Sequence, residues 1–113
     1  MSDNIPFFNT YIDSNAYSLI QKTLKSTFIS EGQLTAEFEN HLKQIGLVNP
    51  VCVNSGTSAL HLALILAGVN KNDEVIIPAQ TFIATGLAVL YQQAKPIFAD
   101  IEYSTGNIDP IAI

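Results

Sequence analysis

Five consecutive residues, Asn-Ser-Gly-Thr-Ser at positions 54–58, have the types and order that bind an anion. They separate a short apolar segment from a run of alanine and leucine, a pattern that predicts a strand, a turn and then a helix. The first turn of a helix has free backbone N–H groups and partial positive charge, and both favour a phosphate. Gly56 allows close approach to the backbone, and Thr57 and Ser58 add hydroxyl groups.

The same residues have a plainer explanation. Ser and Thr cap many helices that bind nothing, so the 54–58 turn alone leaves simple capping and anion binding both open. The turn is not a Walker loop, because no Gly-Lys-Ser/Thr follows, and it lacks the later glycines of the dinucleotide-binding fingerprint.

The elements around this turn predict a parallel α/β arrangement. Helices are expected at 15–27 after a cap at Ser14, at 36–44 after a cap at Thr35, at 57–67 before Gly68, and at 81–92. Their inner stripes include Tyr17, Ile20 and Leu24 in the first and Phe38, Leu42 and Ile45 in the second. Strands are expected at 51–53, 75–77 and 97–99. We therefore divide the chain into a helical segment, 1–49, and a βαβαβ part, 50–113.

Composition narrows the class of protein. Charged residues make up 13% of the 113 residues, against about 25% in average soluble chains, which suits part of a larger protein. A net charge of −5 with scattered lysines and no arginine argues against nucleic-acid binding.

The uncharged stretches 44–70 and 75–94 contain polar turns, so we expect buried elements rather than membrane spans. The single cysteine, Cys52, and the absence of a secretion signal indicate a reduced, cytoplasmic protein, and no metal site is expected.

Four blocks of the sequence resemble the DegT/DnrJ/StrS aminotransferases, in the order and at the spacing of that family. They are 28–35 with Phe38-Glu39, 54–64, 72–85 and 94–100. The resemblance implies the N-terminal part of the large domain of the aspartate-aminotransferase-like (type I) fold, an α/β fold that binds pyridoxal 5'-phosphate (PLP). It further implies a homodimer that moves an amino group, usually from glutamate, onto a nucleotide-linked keto-sugar for cell-surface polysaccharide or antibiotic synthesis.

The resemblance also assigns residues. It places Gly56, Thr57 and Ser58 at the cofactor phosphate. It places the Phe82 ring against the cofactor pyridine. On the sugar side it places Gly32, Gln33 and Thr35. His61 lies one helical turn beyond the phosphate residues, and we interpret it as a satisfied, partly buried histidine rather than a base.

Other catalytic groups of the family are expected after Ile113: the lysine that carries the cofactor, an aspartate at the ring nitrogen and a further phosphate-binding serine. The 113 residues alone are therefore expected to be inactive. Lys71 and Lys95 are poor substitutes because they fall in polar loops. Two alternatives remain open: a sugar 3-dehydratase of the same family, in which histidine replaces the lysine, and a non-catalytic relic or interaction module.

Overall fold

The computed structural model describes residue 6 and residues 8–113. Residues 1–5 and 7, at the start of the segment assigned to 1–49, lie outside the described residues. The chain divides into two compact units, residues 1–52 and 53–113. The elements are α1 Ser14–Ser26, α2 Gln33–Gln44, α3 Gly56–Leu66, β1 Glu74–Pro78, α4 Ile83–Tyr91, β2 Lys95–Ala99 and a 3₁₀ turn, Pro110–Ala112.

Both caps predicted in the first unit are wrong, because each helix begins earlier than expected. The α1 cap is Asp13, whose Oδ1 accepts a hydrogen bond from the Asn15 N–H at 2.8 Å. An ionised carboxylate at this position is a stronger acceptor than the Ser14 hydroxyl and also favours the positive end of the helix. Helix α2 begins three residues before the predicted start, and Gly32 is its cap. Gln33 donates to the Glu37 carboxylate at 2.7 Å, which stabilises the added turn.

The first unit buries little of its apolar surface within this chain. No residue of α1 or α2 is buried. Tyr17, Ile20 and Leu24 are exposed in α1, and of the three α2 stripe residues only Leu42 is half-buried. The helical periodicity of both stripes is confirmed. The inner position assigned to them is wrong for the described residues, because a stripe becomes an inner face only where other parts of the molecule cover it, and all of these side chains but Leu42 remain exposed.

The strand predicted at 51–53 is also wrong. These residues pair with no strand among those described, and Val51 remains 69% exposed. The Cys52 N–H donates instead to Oε1 of Glu39 at 2.8 Å. An apolar, β-branched run becomes a strand only when a neighbour takes its backbone groups, and here a carboxylate takes the central donor.

The second unit contains the predicted parallel pair. Strands β1 and β2 run parallel, with Glu74 opposite Lys95, Ile76 opposite Ile97 and Pro78 opposite Ala99. Helix α4 makes the crossover between them, as parallel strands require. Phe82, not Thr81, is the residue at the start of α4.

The core lies in this unit. Ile77 from β1, Val89 from α4 and Ala94 before β2 are buried together, and Leu64, Val69 and Val75 pack against them. The uncharged stretch 75–94 thus supplies the buried centre, as predicted, whereas the same expectation for 44–70 is wrong within this chain, since no residue of α3 is buried. No described helix has the length and hydropathy needed to cross a membrane.

Candidate functional site

The predicted anion-binding turn lies at the start of α3. Ser55 is the N-cap, in extended conformation, and Gly56, Thr57 and Ser58 form the first helical turn. The Ser55 Oγ accepts the Ser58 N–H at 3.2 Å. No acidic residue lies in this turn, so nothing within it repels an anion.

The hydroxyl group of Ser58 is engaged within the turn. It donates to Oδ1 of Asn54 at 2.7 Å and lies 3.0 Å from the Ser55 hydroxyl. Because a hydroxyl has one hydrogen, Ser55 must be the donor in the second contact. This arrangement favours Ser58 as part of the cap, and its assignment to the cofactor phosphate stays a prediction.

Gly56 and Thr57 keep their donors free. Within the described chain no hydrogen bond reaches the N–H of either residue or the Thr57 hydroxyl. A Cβ atom built on Gly56 would meet no atom within 4 Å. Two helix-terminal N–H groups and one hydroxyl, beside open space, form a donor set that suits a phosphate dianion.

Phe82, the predicted stacking residue, stands at the start of α4 just after the carboxyl end of β1. Its ring is 78% exposed, which leaves an aromatic face available to a planar ligand. The neighbouring Thr81 and Thr85 hydroxyls bond to each other at 2.9 Å across the first turn of α4. A core role for Phe82 within this chain is therefore excluded, and its role against a cofactor stays a prediction.

The three residues assigned to the sugar side lie in the first unit. Gly32, Gln33 and Thr35 line a cavity of about 390 Å³ together with Lys22, Glu31 and other residues between α1 and α2. The structure therefore brings these three together, in a different compact unit from the 54–58 turn and Phe82. Lys22 gives the cavity one cationic group and Glu31 one anionic group.

His61 is half-buried and has partners, as predicted. Its Nε2 lies 2.5 Å from Nε2 of Gln92, and its ring stands edge-on to Tyr91, with centroids 5.4 Å apart. The His61–Gln92 contact joins residues 31 apart in sequence, so helical periodicity could not predict it. Asn54 accepts a hydrogen bond from the first turn of α3, as Asx residues before a helix commonly do.

The thiol of Cys52 has a raised pKa. Partial burial raises the pKa of its thiol, and the negative charge of Glu39, which also bonds near it, raises this pKa further. The thiol is therefore less available as a nucleophile than an ordinary cysteine. It is a free cysteine and is half-buried.

Comparison with known sequences decides the family. The sequence profile of the DegT/DnrJ/EryC1/StrS aminotransferase family matches residues 10–113. The chain belongs to this family. GDP-perosamine synthase of Caulobacter vibrioides is 36% identical over 100 residues, which are 87% of this chain and 27% of the synthase.

Solved structures of the family agree with the fold. Spr1654 of Streptococcus pneumoniae, named as a sugar aminotransferase, superposes in its PMP form with a TM-score of 0.87 and 34% identity over 96% of this chain and 28% of that protein. The GDP-4-keto-6-deoxy-D-mannose-3-dehydratase of E. coli, solved with hydrated PLP, gives 0.82 and 28% identity over 94% of this chain and 29% of its own length. These likenesses confirm the predicted fold class, the N-terminal α/β part of the family fold. The chain thus spans little more than a quarter of its relatives.

Proposed function

We propose that this chain is the N-terminal part of a PLP-dependent aminotransferase that moves an amino group, from a donor such as glutamate, onto a nucleotide-linked keto-sugar. The observation that carries the proposal is the first turn of α3, where the donors of Gly56 and Thr57 have no partner within the described chain. Membership of an aminotransferase family supports the reaction class. The relative named GDP-perosamine synthase supports a nucleotide-sugar substrate.

In this proposal the residues at the starts of α3 and α4 either bind the cofactor or shape the turn that binds it. The N–H groups of Gly56 and Thr57 and the Thr57 hydroxyl bind the cofactor phosphate, while Asn54, Ser55 and Ser58 hold the turn in shape. The exposed ring of Phe82 covers one face of the pyridine and excludes water from it. When bound, PLP supplies the electron-withdrawing ring that lets an amino group leave one carbon and join another.

The cavity beside Gly32, Gln33 and Thr35 has a separate task. We propose that it contacts the sugar nucleotide, with Lys22 facing an anionic group of this substrate. The full-length protein would be a cytoplasmic homodimer that makes an amino sugar for cell-surface polysaccharide.

Spectral titration of the full-length protein with PLP tests the cofactor. We expect a visible, yellow absorbance band with PLP and much weaker binding of pyridoxal, which lacks the phosphate that the α3 turn binds. Equal affinity for PLP and pyridoxal would show that the α3 turn does not bind the cofactor phosphate. Absence of PLP binding would refute the proposed function.

A second candidate, a PLP-dependent sugar 3-dehydratase, is supported by the likeness to the E. coli dehydratase. The two functions differ in the residue that meets the cofactor's reactive carbon, which the family resemblance places after Ile113. Borohydride treatment followed by mass spectrometry separates them. An aminotransferase with its lysine retains the cofactor mass covalently, whereas a dehydratase with histidine at that position does not.

A further inference from the structure

The residues assigned to the cofactor stand at the starts of two helices, α3 and α4. A side-chain contact joins the second turn of α3 to the carboxyl end of α4. Helix α3 begins with Gly56 and Thr57, and α4 begins after Phe82. His61, in the second turn of α3, meets Gln92, which caps the carboxyl end of α4. The His61 ring also contacts the edge of Tyr91 at 5.4 Å between centroids.

The remaining packing near this contact is apolar. Leu64 of α3 packs against the buried cluster that includes Val89 of α4. Apolar contacts of this kind are non-directional, so they define how far one helix slides along the other less sharply than a hydrogen bond does. A hydrogen bond is directional and is lost within about 1 Å of displacement. Among the hydrogen bonds between side chains in the described chain, the His61–Gln92 contact is the one that ties α3 to the end of α4.

The contact can survive either orientation of the Gln92 amide. With the amide nitrogen facing the ring, the amide donates and His61 Nε2 accepts, which places the ring proton on Nδ1. With the amide turned round, the Nε2–H of the ring donates to the amide oxygen instead. The contact therefore requires a polar group at both positions, not one particular tautomer.

We propose that His61 is a positioning residue, which keeps α3 in register with α4 and so fixes the phosphate donors of Gly56 and Thr57 relative to the Phe82 ring. The inference rests on the proposed function. PLP needs both parts, because a short covalent link of one carbon and one oxygen joins its phosphate to its pyridine and limits the distance between them. Inorganic phosphate needs only the α3 turn. Loss of the register should therefore weaken PLP binding and leave phosphate binding unchanged, whereas a general loss of structure would weaken both.

The test compares two ligands on the apo form of the full-length protein. The dissociation constants of PLP and of inorganic phosphate are measured by calorimetry for the wild type, His61→Ala, Gln92→Met and the double variant. We expect PLP affinity to fall about fivefold in each single variant, the equivalent of one ordinary hydrogen bond, with phosphate affinity unchanged. The double variant should be no weaker than either single variant, since both remove the same contact.

His41→Ala is the matched control, because His41 is the chain's other histidine and is exposed on α2. The conservative variant His61→Gln should restore most of the PLP affinity. Parallel loss of both ligands, unchanged affinity for PLP, or additive losses in the double variant would each overturn the proposal. Should His61→Ala fail to fold, Gln92→Met decides by the same criteria. A wild-type protein that binds neither ligand refutes the proposed function itself, which is a distinct result.

Discussion

At the residue scale, the 54–58 turn shows how similar side chains divide their tasks. Thr57 and Ser58 are adjacent and both carry a hydroxyl, yet the Ser58 hydroxyl donates to Asn54 and its N–H to Ser55. The Thr57 hydroxyl and N–H have no such partners in the described chain. Ser58 therefore shapes the turn, whereas the donors of Thr57 have no partner within the described chain.

This difference predicts unequal effects of substitution on PLP binding. Thr57→Val removes a donor to a dianion and should weaken PLP binding about tenfold or more, since hydrogen bonds to charged groups contribute about 1.5–3 kcal/mol. Ser58→Ala should weaken it by less than about threefold and mainly lower stability, because the hydroxyl's hydrogen bonds to Asn54 and Ser55 are lost. Spectral titration measures the affinities, with Thr57→Ser as the control that keeps the hydroxyl. A larger loss in Ser58→Ala than in Thr57→Val would reverse the assignment.

The raised pKa of Cys52 predicts slow alkylation. A raised pKa leaves less thiolate at a given pH. Cys52 should therefore react with iodoacetamide more slowly at pH 8 than a fully exposed cysteine of ordinary pKa, and its rate should increase with pH. Glu39→Gln removes one cause of the shift and should accelerate the reaction. Glu37→Gln, two residues before Glu39 on α2, is the control. Equal rates in the two variants would show that Glu39 does not influence the thiol.

At the element scale, glycine closes two helices in the same way. After α3, the Gly68 N–H bonds to Ile65 O and the Val69 N–H to Leu64 O, with Gly68 at φ +80°. Gly46 follows α2 in the same left-handed geometry, at φ +99°. The prediction that Gly68 ends its helix is confirmed, because only glycine adopts this conformation without strain.

Two glycines in the second unit should respond oppositely to alanine. Gly68→Ala forces a side chain into the left-handed region and should lower the free energy of unfolding by about 1 kcal/mol. Gly86→Ala lies inside α4, where the new Cβ would meet Ile77 Cδ1 at an ordinary 3.7 Å. It should leave the free energy of unfolding unchanged or raise it by up to about 1 kcal/mol, because alanine favours a helix. Urea denaturation measures both variants, and destabilisation by Gly86→Ala alone would contradict the packing around α4.

At the scale of the whole molecule, buried and exposed surface are unequally distributed. The buried apolar residues among those described are Ile77, Ala84, Ala88, Val89, Ala94 and Ala99, all in the second unit. Large apolar side chains remain exposed in both units, Phe28 and Phe38 in the first and Phe82 and Phe98 in the second. Surface of this kind favours association when charge repulsion is weak.

The 113-residue chain should therefore associate most strongly near its isoelectric point. Its pI is about 4.6, and at pH 7 its charge is −5. Light scattering should show larger particles near pH 4.6 than at pH 8, because repulsion between negatively charged chains is lost. Added salt at pH 8 should have the same effect by screening that charge. Particle size independent of pH would show that charge does not limit association.

The sequence by itself determined four features that depend on local order: the periodicity of α1 to α4, the two strands around α4, the Gly68 stop and the place of Gly56 at a helix start. It did not determine which residues cap the helices, because Asp13 and Ser14, or Gly32 and Thr35, compete within a few residues. Only the tertiary structure decided that 51–53 gives its central N–H to Glu39 rather than to a strand, and that His61 meets Gln92. Both contacts join residues far apart in sequence, and no local pattern records such a partner.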